Sequence, residues 1–388
     1  MVNRHVDLDR EHLGDRSPTW RTPGHAQIDD LSKTTPPKIA LASPMLAAIA
    51  IDANYWRAMV GSGSLLLPLA GFGLGITAAT QAHGYPLPPS FPLLVAIMAI
   101  GLLDAFAGVL AFVPVLVGSV ISGRLFTVHM VSTALVVGTL FFGIAVICKK
   151  IRPFIREAPS SWSEWWVKGG DLLLGSAIGG YLAAKLLKIV PSTSHLAVPV
   201  ASREAEIGWI MVGLVALRYV AEYLAVLTYP KRVATVSAGA LPAQQMNWRV
   251  ASTLFRAVIF ATIFYSLLGR SWVVLLLLGI FAIDSLFTGK VLTGEIPTWY
   301  YRFIPRNLPK MLFFSVLGAL AAAYFEVHIS SPFWKIASLL ILILSLNCIL
   351  HLIGSAKGKA WPVNIWTRIA GVILAVLTLL QLTGNLIT

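Results

Sequence analysis

The sequence predicts an all-α, polytopic integral membrane bundle, and three observations carry that prediction. Apolar runs long enough to cross a bilayer recur from about Ser62 to the C-terminus, separated by short polar links. The runs are continuous and do not alternate with polar residues, which selects helices over a barrel, because only these two structures satisfy backbone groups in lipid. Finally, 57% of the 388 residues are hydrophobic and 12% are charged, a balance foreign to soluble domains. At about 30 residues per helix and link, the chain beyond its first 60 or so residues holds about ten or eleven transmembrane helices.

The N-terminal region is different in kind. Residues 1–38 mix charges of both signs with Gly, Pro and His and contain no apolar core of a signal peptide, so a disordered polar cytoplasmic segment is expected. Residues 39–61 hold the apolar run "IALASPMLAAIAI", too short to span, followed by Tyr55 and Trp56. This predicts an interfacial amphipathic segment with aromatic anchors. The transmembrane domain is then 62–388.

Candidate spans within it are Ser62 to His83, Phe91 to Ser122, Leu125 to Cys148, Gly169 to Val190, Ala205 to Tyr229, Trp248 to Leu268, Ser271 to Lys290, Met311 to His328, Phe333 to Ile353 and Val363 to Leu386. Links rich in Lys and Arg alternate with poor ones. The rich links are Lys149 to Arg156, Pro230 to Arg232 with Arg249, Tyr300 to Lys310, and Lys357 with Lys359; the poor ones hold Arg203, Arg270 or Lys335 alone. The tendency of cytoplasmic links to collect basic residues puts the N-terminus inside and the C-terminus outside, in a plasma or prokaryotic inner membrane. It also explains the formal charge of +13 without nucleic acid.

This orientation forces Phe91 to Ser122 to begin and end on the outer side. At about 32 residues the segment is long for one crossing and short for two. Asp104, Gly108 and Pro114 interrupt it, which predicts a re-entrant or helical hairpin near 91–122. "IGLLDAFAG" around Asp104 also matches "IFAIDSLFTG" around Asp284 in apolar pattern and central carboxylate, as a parallel internal repeat would.

Charged residues inside spans are costly and normally face the bundle interior with a partner. Asp104, Asp284, Arg218, Glu222 and Arg256 are the candidates for a transport path or for structural ion pairs. Arg218 and Glu222, four apart, lie on one helical face and can neutralise each other. Asp104 and Asp284 either take up a proton or cation, or pair with Arg256, Lys290 or Lys310. "GFGLG" at Gly71 to Gly75 has the small-residue spacing of close helix packing and follows no strand, which excludes a phosphate loop. Cys148 and Cys348 lie in or at the end of apolar runs and read as small core residues.

No grouping supplies a nucleophile, a base and water at recognisable spacing, and neither a metal-ligand pattern nor a cofactor motif is present. "KKIRP", "PSTSH" and Ser202 with Arg203 loosely follow the motif order of acid-phosphatase-type lipid phosphatases, but the spacing is wrong, a Gly is missing before His195, and no His and Asp follow Arg203. The expected function is permease-like, moving a small solute, ion or lipid. Two alternatives stand beside it: a non-catalytic scaffold or subunit of a membrane complex, and a lipid-modifying enzyme with His195, His328 or His351 at a headgroup-facing mouth. Besides the bilayer and a membrane-protein partner, anionic lipid headgroups are expected at Arg302, Arg306 and Lys310.

Overall fold

A computed structural model describes residues 25–151, 162–230, 232–233, 245–287, 320–321, 324–325, 327–354, 373 and 376 of the protein. The described residues are helical, with no strand among them. Five of their helical stretches are long and apolar enough to cross a membrane: Pro44–Gln81, Val128–Cys148, Lys168–Ser194, Pro199–Thr228 and Asn247–Tyr265. Phe91–Leu103, Ala105–Ile121, Trp272–Leu286 and Pro332–Ser345 are shorter apolar helices.

The first described element is α1 (His25–Ala42), which overlaps the end of the segment expected to be disordered; α2 (Pro44–Ala50) and α3 (Asn54–Val60) follow. Ser43 caps α2 by accepting from the Leu46 amide, and Pro44 occupies its first turn, where a missing N–H costs nothing. A 3₁₀ turn at Gly61–Leu65 leads into α4 (Leu66–Gln81). Residues 39–61 pack one side against the bundle and leave Pro44, Met45 and Leu46 exposed. Ala40, Ala47, Ile49, Ala53 and Ala58 are buried, and Tyr55, read from the sequence as an interfacial anchor, is fully buried. Its hydroxyl donates to the Leu103 carbonyl, a tertiary partner that local sequence does not reveal.

The hairpin expected near 91–122 is present. α5 (Phe91–Leu103) and α6 (Ala105–Ile121) meet at Asp104, whose backbone is extended at φ −142°, ψ 107°. At the tip a Cβ placed on Gly108 would lie 2.9 Å from the Gly101 Cα, so the helices fold back on each other at two bare glycines. At the other end the Ser122 hydroxyl donates to the Gly84 carbonyl, 2.8 Å away, in the loop that precedes α5. One straight helix would have separated Phe91 and Ser122 by about 46 Å. Gly108 and Pro114 lie within α6, so Asp104 alone makes the break.

α4 runs parallel to α6, with Gly71 against the Ala107 carbonyl and Gly75 against that of Ala111. A Cβ at either glycine would fall 2.4 or 2.3 Å from the oxygen, so "GFGLG" is a packing stripe, as its spacing implied. α7 (Val128–Gly138), a π turn (Thr139–Gly143) and α8 (Ile144–Ile151) follow as one stack. The Phe141 carbonyl of the π turn sits directly on Gly101 and Gly108. α9 (Trp162–Ser194) and α10 (Glu204–Thr228) are antiparallel, with Gly175 against Tyr219 and Gly180 against Gly208. Residues of α4 to α10 form the main core, including Leu94, Ile97, Val115, Phe141, Leu187 and Met211.

α11 (Met246–Leu268) and α12 (Trp272–Phe287) form a second antiparallel pair, turned at Gly269, whose φ of 64° suits a residue without a side chain. With α13 (Pro332–Gly354) they enclose a separate cluster of Phe264, Leu268, Val273, Leu277 and Ala337. The bundle therefore has a near end, carrying α1 to α3 and residues 149–151, 229–230, 232–233 and 245, and a far end, where the loops at 82–90, 122–127 and 195–203 gather. Arg302, Arg306, Lys310, Lys290 and the predicted span Val363 to Leu386, apart from residues 373 and 376, lie outside the described residues.

Candidate functional site

The polar site of this bundle is built around the broken ends of the hairpin. A helix that stops inside a core leaves its last carbonyls and its successor's first amides without partners. Here each set is met by side chains, all but Asp104 from distant elements. At the α5 end, Arg218 of α10 donates from Nη1 to the Leu102 carbonyl at 2.6 Å, and Tyr55 of α3 donates to the Leu103 carbonyl at 2.8 Å. At the α6 end, Asp52, in the turn between α2 and α3, accepts from the Ala105 amide at 3.1 Å, and Asp104 accepts from the Phe106 amide at 2.9 Å.

These ends are tied together by one guanidinium. Arg218 Nη2 contacts Asp52 Oδ1 at 2.6 Å and its Nε contacts Glu222 Oε1 at 3.1 Å, so a single cation spans two carboxylates and a carbonyl. All of these groups are withdrawn from solvent: relative exposure is 1% for Asp104, 2% for Arg218, 3% for Asp52 and 5% for Glu222. The Tyr55 ring lies 5.7 Å from the guanidinium carbon. Arg57 donates to the Ala50 carbonyl and to Asn54 Oδ1, holding the α2–α3 turn that presents Asp52.

The charge balance is legible from this geometry. Asp52, Asp104 and Glu222 outnumber Arg218 and Arg57 by one negative charge. Two of the three carboxylates sit on the first amides of α6, where the helix dipole contributes roughly half a positive charge. The guanidinium and the phenol sit at the opposite pole, on the last carbonyls of α5, where donors and positive charge are favoured. The network thus complements both broken ends at once, as a discontinuous helix in a protein core requires.

Below it, Tyr219 donates to the Cys148 carbonyl at 3.4 Å and the Cys148 thiol approaches the Gly175 carbonyl at 3.7 Å, which links α8, α9 and α10. Both cysteines are free and buried.

The candidates taken from the sequence divide into two groups. Arg218 and Glu222 form the expected intrahelical pair, and Asp104 joins their cluster through the hairpin tip. Asp284 and Arg256 belong elsewhere. Asp284 lies in the continuous helix α12, and Arg256, exposed on α11, donates to the Ser252 carbonyl and to the hydroxyls of Ser252 and Ser285. Arg256, one of the three partners considered for Asp104, has its side chain engaged in the α11–α12 pair. The two aspartates also differ in backbone, extended and capping at Asp104, helical at Asp284.

Sequence reasoning missed Asp52, the central counter-ion. The signal was visible as a carboxylate closing the run "IALASPMLAAIAID", but the run's shortness assigned it to the surface. Among the described residues no group of three or more His, Cys, Asp or Glu is arranged to hold a metal ion. No family model matches the chain, and no curated protein or solved structure is significantly similar to it.

Proposed function

We propose that the chain is a multi-pass membrane protein of permease type, moving a small solute, ion or lipid, in which α5 and α6 form a re-entrant hairpin reaching partway across the bilayer. The single observation that carries this reading is the broken helix whose ends meet a buried, charged network. At about 20 and 26 Å the two half-helices are each shorter than the hydrocarbon core, and an interrupted backbone at such depth is tolerated where protein or a polar path surrounds it. Discontinuous helices of this kind commonly frame substrate and ion sites in secondary transporters.

Embedding is supported by apolar side chains left facing outward, such as Leu66, Leu69, Phe72 and Ile76 along α4 and Leu217, Val220, Leu224 and Leu227 along α10. Exposed apolar strips of this length suit lipid and not water. The described ends of two links rich in Lys and Arg, at residues 149–151 and at 229–230 with 232–233, lie at the near end, which supports a cytoplasmic near end and N-terminus, with the C-terminus outside. Arg218 then lies about 21 Å along α10 from its far-end start, inside the membrane and closer to the cytoplasmic face.

Reconstituted vesicles test the proposal. Incubated in a small-molecule cell extract, they accumulate a solute that protein-free vesicles do not, and Glu222→Gln or Asp104→Asn reduces that uptake; fluorescent phospholipid scrambling covers the lipid case. Vesicles indistinguishable from protein-free controls in both assays overturn it. The full engagement of Arg218 favours a second reading, a non-transporting subunit whose network only locks the fold. Under that reading a stoichiometric partner co-purifies from native membranes, and the neutral variants lose stability alone.

A further inference from the structure

We propose that His129 and His195 form a two-imidazole site for a divalent transition-metal ion at the far end of the bundle, one that clamps the start of α7 to the end of α9. His129 Nδ1 and His195 Nε2 stand 3.1 Å apart, with ring centroids 4.3 Å apart and planes at 76°. Two imidazole nitrogens each about 2.05 Å from one ion, at an angle of roughly 100°, are separated by about 3.1 Å. The pair therefore already has the bite of a chelate.

Both rings are exposed, so an ion can enter and complete its coordination with water. Both are also held by rigid elements. His129 lies in the first turn of α7, which Thr127 caps by accepting from the Met130 amide. His195 follows the last residue of α9 in a left-handed conformation, φ 54°, a strained setting for a residue with a side chain, which turns its ring back toward α7. Just beneath the rings Thr133 and Thr193 are hydrogen-bonded at 3.2 Å, and Thr133 also donates to the His129 carbonyl. The two backbones are thus fixed at the pair's own level, and the entropic cost of bringing the ligands together is already met by the fold.

Without metal the contact is a hydrogen bond: one ring nitrogen carries a proton and the other accepts. Chelation needs a lone pair on both, so the donor ring moves its proton to its other nitrogen, and two neutral imidazoles bind without net proton loss. Imidazole ligands with no carboxylate favour zinc, copper or nickel over magnesium or calcium.

The test is titration of the full-length protein in detergent with Zn²⁺ and, as a spectroscopic probe, Cu²⁺. Wild type binds one ion that His129→Gln and His195→Gln each weaken by at least about tenfold, since losing a direct ligand costs no less than the roughly 10- to 100-fold commanded by outer partners. The Cu²⁺ resonance of wild type reports two equatorial nitrogens that neither variant retains. Zn²⁺ also shields both histidines of wild type from diethyl pyrocarbonate, read peptide by peptide, a measurement that requires no variant to fold. Unchanged binding in both variants, or modification of both histidines at the same rate with and without Zn²⁺, overturns the proposal.

Discussion

Replacing Asp52 by alanine removes the counter-ion that joins the two broken ends of the hairpin. The variant loses the 2.6 Å contact to Arg218 Nη2 and the acceptor for the Ala105 amide, and leaves the guanidinium with Glu222 as its remaining carboxylate. Breaking a buried ion pair by deleting one partner costs about 3–5 kcal/mol, because the other charge stays buried. Glu222 holds the loss near the lower figure, and the lost cap at Ala105 adds about 1 kcal/mol. A total of about 4 kcal/mol lowers the folded-to-unfolded ratio roughly a thousandfold. Asp52→Asn keeps an acceptor for only one of the two donors, since Arg218 and the Ala105 amide use different carboxylate oxygens, and loses somewhat less than the alanine variant. Arg218→Met leaves Asp52 and Glu222 without their shared cation and the Leu102 carbonyl without its donor, and is at least as damaging as Asp52→Ala. In the double variant the two costs do not add, with a coupling of about 2 kcal/mol or more. The assay is equilibrium unfolding in mixed micelles, followed by tryptophan fluorescence. A loss below about 0.5 kcal/mol for Asp52→Ala, or strict additivity in the double variant, refutes the reasoning.

Three further outcomes follow from the packing. Gly101→Ala puts a methyl 1.8 Å from the Phe141 carbonyl and prevents the hairpin tip from closing; the same assay shows a loss of about 1–3 kcal/mol or more, whereas Gly73→Ala, with nothing within 4 Å, is neutral or raises stability by up to about 1 kcal/mol. Arg256→Met, which removes exposed bonds to Ser252 and Ser285, changes stability by less than about 1 kcal/mol and separates Arg256 energetically from Arg218. Cys148, buried between α8, α9 and α10, resists a thiol reagent in the folded protein and reacts on unfolding, as a time course of labelling with and without denaturant shows.

The parts of this architecture that depend on local pattern were legible in the sequence. The hairpin followed from a parity argument over Lys and Arg together with the break at Asp104, and the Arg218–Glu222 pair from helical spacing. Gly71 and Gly75 announced close packing by their separation alone. What escaped was non-local. Nothing in the run before Asp52 states that α2 and α3 turn inward, since burial of Tyr55 and Asp52 is decided by carbonyls and amides that exist only once the α5–α6 break has formed. The likeness of the segments around Asp104 and Asp284 illustrates the opposite limit. The shared apolar pattern suggested a parallel internal repeat, and the two aspartates differ in local setting: one caps a helix and the other lies within one. His195 was singled out in the sequence, but its meeting with His129, 66 residues away at the start of another helix, is non-local and carried no sequence signal.

Sided labelling of single cysteines tests the central claim, the re-entrant hairpin, most directly. In a background with Cys148 and Cys348 replaced, Ser90→Cys and Phe126→Cys flank the hairpin at the far end, where Phe126 is 77% exposed, and Gln245→Cys marks the near end. A membrane-impermeant maleimide applied to sealed vesicles of known orientation labels Ser90→Cys and Phe126→Cys from the same face and Gln245→Cys from the opposite one. Labelling of Ser90→Cys and Phe126→Cys from opposite faces would mean that the segment crosses the membrane, and would contradict the account.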